Sequence, residues 1–225
     1  MTDPIDRPAE STRLQILLAA SHQFAHRSYS LVSLDDILAD AEVTKGAMYF
    51  HFRSKHALAL AIIDYHASRT MAAVNDLLSR KLSGLETLID ISFLIAVRDI
   101  GDDVARAGLH LLESIGRTDG AQAKMLGEWV NAFAVMVERA IDEGDIVEQR
   151  NPEDVSRLLV AMYLGMRQTS NPDDPEQFLG HLEKLWAMAL PGFANPNRVA
   201  YLTQFIRRRT ALAIDTTMAA LPNAL

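Results

Sequence analysis

The chain has 225 residues, a formal net charge of −7, 49% hydrophobic and 23% charged side chains, and no cysteine. It is long enough for a substantial core, and the missing cysteine excludes disulfides, thiolate catalysis and Cys-ligated zinc. So acidic a chain is not coated in nucleic acid, although a local docking surface is still allowed.

The opening MTDPIDRPAESTR reads as a polar arm over residues 1–11, neither signal nor transit peptide. Leu14, Leu17, Leu18, Ser21, Phe24 and Ala25 then share one face of a helix ending near Arg27. In SLDDILAD, Ser33 with Asp36 gives the Ser-x-x-acid start of a second helix, whose apolar side is Leu34, Ile37 and Leu38. A turn, AEV, leads to Thr44 as N-cap of a helix reaching about Phe50, and Ser54 caps a longer one to about Lys81. Breaks at Ser83-Gly84, Ile100-Gly101-Asp102 and Gly116–Gly120 separate further helices. Asn151-Pro152, SNPDDPEQF and PGFANPN mark the last three starts. The expectation is an all-α chain of about ten helices: a helix-turn-helix domain over 12–58 and a larger helical part over 59–225. Its apolar stretches, LIDISFLIAV and RLLVAMYLGM, fall far short of the roughly 20 residues that span a bilayer. No membrane partner and a soluble, cytoplasmic protein are expected.

The stretch VTKGAMYFHFRSK concentrates cations and aromatics where the first 60 residues balance six cations against seven acids. Three short helices in this spacing make a helix-turn-helix, whose last helix enters the major groove with its N-terminal part. From it Lys45, Gly46, Met48 and Tyr49 project, while Ala47 and Phe50 pack inward. Thr44 and Tyr49 offer hydroxyls, His51 an imidazole, and Lys45, Arg53 and Lys55 positive charge for phosphates. Glycine at position 46 costs a helix about 1 kcal/mol and makes sense where backbone must approach another surface. A solvated loop with two buried aromatics is the other reading of the same spacing.

The segment from about Thr12 to Leu60, ILLAASHQFAHRSYSLVSLDDILADAEVTKGAMYFHFRSKHALALAII at its heart, resembles the DNA-binding domain of the TetR family of bacterial transcriptional regulators. The matching features are a Phe in the first helix, Tyr29, the Ile of the second helix, and Val-Thr-Lys-Gly-x-x-Tyr-x-His-Phe-x-x-Lys. The resemblance implies that Thr44, Lys45, Gly46, Tyr49, His51 and Lys55 face double-stranded DNA and that Phe52 packs inside. Two positions depart from the family pattern: Ser28 and Glu42 stand where glycine is common. VTKGAMYFHF, the Glu128-Trp129 pair and LWAMALPGF are most similar to the γ-butyrolactone autoregulator receptors of actinomycetes. That subgroup implies a repressor released from a palindromic operator by a small lactone, with Trp129 lining the pocket.

Met125, Trp129, Phe133 and Met136 recur at spacings of four, four and three on one helical face. With Phe93, Ile95, Leu111 and Leu112 on preceding helices they suit a small apolar effector, Trp adding one N–H donor. The ligand-contacting set expected is Trp129, Met125, Phe133, Phe93 and Leu112; a plain helical core has the same pattern. Val155, Leu158, Leu159, Met162 and Met166, with Leu202, Phe205 and Ile206, form stripes for a homodimer interface or for the intrachain core.

His22 and His26 lie four apart and are able to share a metal, but no nearby carboxylate completes a site, so a solvated face and no metal are expected. His66 is expected exposed, His110 satisfied or at the surface, and Arg207-Arg208-Arg209 solvated. GxGxxG, P-loop, Gly-x-Ser-x-Gly and HExxH motifs are all missing, so neither cofactor nor enzyme activity is expected. The alternatives are a repressor sensing a lipid, acyl-CoA or drug, and a helical small-molecule carrier that has lost DNA binding.

Overall fold

Caps and prolines set the rhythm of the chain. The computed structural model describes residues 6–118 and 120–220, and among these the ordered elements are ten α-helices and one short 3-10 turn. They are α1 (Asp6–His26), α2 (Leu34–Ala41), α3 (Lys45–His51), α4 (Lys55–Leu78), α5 (Gly84–Gly101), α6 (Asp103–Ser114), α7 (Ala121–Asp142), α8 (Pro152–Thr169), α9 (Pro175–Ala189) and α10 (Pro196–Ala220), with the 3-10 turn at Leu190–Gly192. The all-α reading holds. Ser33, Thr44, Asp102, Asn151 and Asp174 each accept a backbone N–H at a helix start, which removes one of the four unpaired donors there. The polar arm turns helical at Asp6, because a proline two residues later lies in a first turn that needs no N–H from it; residues 1–5 of the arm lie outside the described residues. No described helix is long and apolar enough to cross a membrane.

The chain divides into two compact units. One takes residues up to Met71 together with Asp102–Gln122, so α6 rejoins the helix-turn-helix part after an excursion of the chain. Its core holds Ile16, Leu17, Ala20, Phe24, Ile37, Met48, Leu58 and Ile62. Leu14 and Leu18, expected on the inner face of α1, are exposed instead, and Ile16 and Ala20 take that side. The face rotates because α6 also packs on α1, and sequence spacing does not foresee that partner. His66 is likewise buried against α6: a Cβ added at Gly108 would lie 2.5 Å from its own Cβ.

The other unit takes Ala72–Gly101 and Ala123–Leu225. Here α5 is buried on most of its sides, with Leu85, Leu88, Ile89, Ile91, Phe93 and Ala96 in the core and Glu86, Asp90 and Asp99 buried beside them. Its first residue, Gly84, touches α7 so closely that a Cβ would lie 2.5 Å from the Met136 carbonyl. Trp186 is fully buried and its indole N–H donates to Ser92 Oγ at 2.8 Å. Asp99 and Arg167 form a buried ion pair at 2.7 Å. Leu202, Phe205 and Ile206, and with them Val155, Leu159 and Met166, are buried within the chain, while Leu158 stays 46% exposed.

Candidate functional site

A capping box starts α2: Ser33 accepts from the Asp36 N–H, and Asp36 accepts from the Ser33 N–H. The Ser33 backbone N–H, then its hydroxyl, hold the Asp36 carboxyl below its ordinary value despite slight burial, with Arg27 helping. At the end of α2, Glu42 takes a left-handed conformation, φ 52 and ψ 36, and its N–H reaches the carbonyls of Ala39 and Leu38. It is the one non-glycine residue with positive φ among those described, and Ser28 has no such conformation. Of the two departures, Glu42 alone is strained. Gln15 braces this turn from α1, donating to the Ala41 carbonyl at 2.7 Å.

Thr44 then caps α3, its hydroxyl accepting from the Ala47 N–H at 3.2 Å. The seven residues of α3 are anchored from beneath by Met48, fully buried, and Phe52, which lies four residues on and therefore on the same side. Phe50 is about half a turn from that side, which leaves it 81% exposed, edge-on to His51 at 5.0 Å. The expected inward Phe50 and outward Met48 are thus exchanged. Thr44, Lys45, Gly46 and Tyr49 are exposed together with Phe50, and His51 is partly buried. A Cβ at Gly46 would meet only Thr44 Oγ1, at 3.9 Å. Among the described residues nothing therefore calls for the bare backbone there.

Lys55 departs from expectation. Its ammonium donates to the carbonyls of Tyr29, 2.8 Å, and Val32, 2.9 Å, and lies 4.2 Å from the centre of the Tyr29 ring, which itself stacks on Phe24. Its charge closes the segment between α1 and α2 instead of standing outward with Lys45. This was invisible in the sequence because the acceptors are backbone oxygens 23 and 26 residues away.

The expected ligand set is divided. Met125, Trp129 and Phe133 are partly buried on one side of α7, and Phe93 is buried in α5 of the same unit. Leu112 is buried in α6, which belongs to the other unit. On the opposite side of α7, a hollow of about 340 Å³ is lined by Leu126, Gly127, Val130 and Asn131 with Glu153 and Arg157 of α8. Its charged rim does not suit an apolar ligand, and none of the expected residues lines it. His110 takes a contact with the Phe24 carbonyl at 3.3 Å. His22 and His26, which have no carboxylate near them in the sequence, meet one in the fold, Asp103 of α6.

Residues 16–62 match the family described as bacterial regulatory proteins, tetR family. The A-factor receptor protein of Streptomyces griseus is 32% identical over 197 residues, covering 86% of this chain and 68% of that protein. The TetR family protein CprB from Streptomyces coelicolor, solved in complex with its biological operator sequence, superposes with a TM-score of 0.78 at 29% identity. The match covers 91% of this chain and 98% of CprB. A crystal structure of a gamma-butyrolactone receptor described as ArpA-like gives a TM-score of 0.77 at 29% identity, over 91% of this chain and 99% of the other.

Proposed function

This chain belongs to the TetR family as a DNA-binding transcriptional repressor, and we propose that a small apolar ligand of the γ-butyrolactone class releases it from a palindromic operator. The observation that carries the reading is the outer face of α3, where Lys45, Gly46, Tyr49 and Phe50 are exposed above the buried Met48 and Phe52. In the groove, Lys45 and the Thr44 and Tyr49 hydroxyls hold phosphates, and Gly46 lets backbone come close. The Phe50 ring suits a thymine methyl.

So short a helix touches few base pairs, and useful specificity needs two half-sites read by a two-fold protein. The residues left outward on α8, Leu158, Ala161 and Gly165, and on α10, Ala211, Leu212 and Met218, support a second copy as the partner. For the ligand, Trp129 with Met125, Phe133 and Phe93 offers a flat apolar wall and one N–H donor. The gamma-butyrolactone receptor among the similar structures supports the lactone class. Since α4 runs through both units, it is a continuous helical link through which ligand state reaches the reading head. The coupling is reciprocal: a ligand that weakens operator binding tenfold binds the operator complex tenfold less well, about 1.4 kcal/mol.

The test is a gel shift with the DNA upstream of the protein's own gene, challenged with lactones, acyl-CoAs, fatty acids and drugs. Release by lactones at the lowest concentration is expected, with Trp129→Ala keeping operator affinity and losing the response. Release by another class alone would replace the effector, and no preference for any genomic fragment over random duplex would remove operator recognition.

A further inference from the structure

We propose that His22, His26 and Asp103 form a site for one divalent transition-metal ion of the zinc class, clipping α1 to α6. The two histidines lie four residues apart on α1 and so share a face, their rings 5.1 Å apart. From α6, Asp103 places Oδ2 2.7 Å from His22 Nδ1 and Oδ1 3.1 Å from His26 Nε2. One ligand atom from each residue lies within 4.8 Å of the others. Ligands 2.0–2.1 Å from a tetrahedral zinc stand about 3.3 Å from one another, so the three groups close on an ion with small side-chain movements and no change of backbone.

Asp103 faces the two imidazoles while its neighbour does the local tasks. Asp102 accepts the Val104 N–H that starts α6 and pairs with Arg69 at 3.1 Å. Two imidazoles and a carboxylate are the donor set of zinc, nickel and copper, whereas magnesium and calcium take oxygen ligands. All three side chains are substantially exposed, so water completes the shell and exchanges readily. A carboxylate hydrogen-bonded between two imidazoles has the same apo geometry. The two differ in that metal needs a lone pair, and a hydrogen bond an N–H, at His22 Nδ1 and His26 Nε2.

The consequence lies in α1. Gln15 of this helix braces the Ala41 carbonyl and Gln23 reaches Asp40, so α1 holds the turn that aims α3. An ion bound here fixes α6 to the same helix and stiffens the reading head. Metal is then a second input to the repressor, separate from any ligand at α7.

Untagged full-length protein, stripped with chelator, is titrated with zinc sulfate against a chromophoric zinc indicator, and with cobalt for its visible absorption. One ion per chain at micromolar zinc is expected, with a rise in melting temperature. His26→Ala and Asp103→Asn, which remove a ligand outright, weaken binding by at least the roughly tenfold that loss of an outer-shell partner costs, and His181→Ala, far along the chain, leaves it unchanged. Circular dichroism without metal shows whether each variant has folded. Loss of zinc binding in Asp103→Asn alongside an unchanged metal-free melt supports the site. No saturable binding at micromolar zinc, or equal binding by the parent and by folded His26→Ala and Asp103→Asn, overturns it. Neither outcome involves DNA, so operator recognition is judged separately.

Discussion

A methyl group at Gly46 would meet nothing but the Thr44 hydroxyl, at 3.9 Å. Alanine there is a better helix former by about 0.5–1 kcal/mol, so Gly46→Ala is expected to raise the melting temperature while weakening operator binding. A variant that melts higher and binds equally well would show that no surface approaches that backbone. The two lysines divide in the same way. Lys45→Ala should leave the melt unchanged and reduce the slope of log affinity against log salt by about one. Lys55→Ala strips two carbonyls of their donor and should cost about 1–3 kcal/mol in stability, with little change in the salt slope. Thermal denaturation and gel shifts at several salt concentrations decide both.

At the scale of elements, the turn between α2 and α3 carries the visible strain. Glu42 sits in the left-handed region, φ 52, which disfavours a residue with a Cβ by about 1 kcal/mol. Glu42→Gly relieves it and removes a carboxylate beside the reading helix, so both the melting temperature and operator affinity should rise. The α2 cap responds to pH with a definite sign. Asp36 has its folded pKa lowered by Ser33, so its contribution is present above the ordinary value of 3.8 and lost as pH falls through the lower folded value. The stability gap between the parent and Ser33→Ala should therefore be full at neutral pH and narrow on acidification. A gap that widens in acid would contradict that cap.

For the whole molecule, the proposed dimer raises the question of which apolar surface a second copy would cover. Leu202, Phe205 and Ile206 serve the intrachain core, which leaves Leu158, 46% exposed, and Leu212, 54% exposed, with Met218, among the large outward side chains of α8 and α10 for a two-fold interface. Leu158→Arg with Leu212→Glu is expected to give a folded monomer by sedimentation and to lose operator binding, because one head alone contacts a single half-site. A double variant that stays dimeric would move the interface elsewhere.

How much was legible depends on the range of the interaction. Helix starts at Ser33, Thr44 and Asn151 could be read because a cap is a contact between residues two or three apart. The motif from Val43 to Lys55 carried the family likeness because its residue types match the family pattern within one contiguous stretch. By contrast, the inner face of α3 was read in the wrong register, since seven residues give periodicity too few turns to resolve. Trp129 and its stripe were legible as a face of α7, but the spacing does not state what covers that face.

By itself the sequence determined the all-α class and the capped helix starts at Ser33, Thr44 and Asn151, all set by hydrogen bonds and side-chain periods within a turn or two. Only the tertiary structure decided that Lys55 turns inward, that Phe50 stands out and that Asp103 meets His22 and His26. Those outcomes depend on which groups the folded chain brings within a few ångströms after separations of tens of residues, a property of packing that local propensity does not encode.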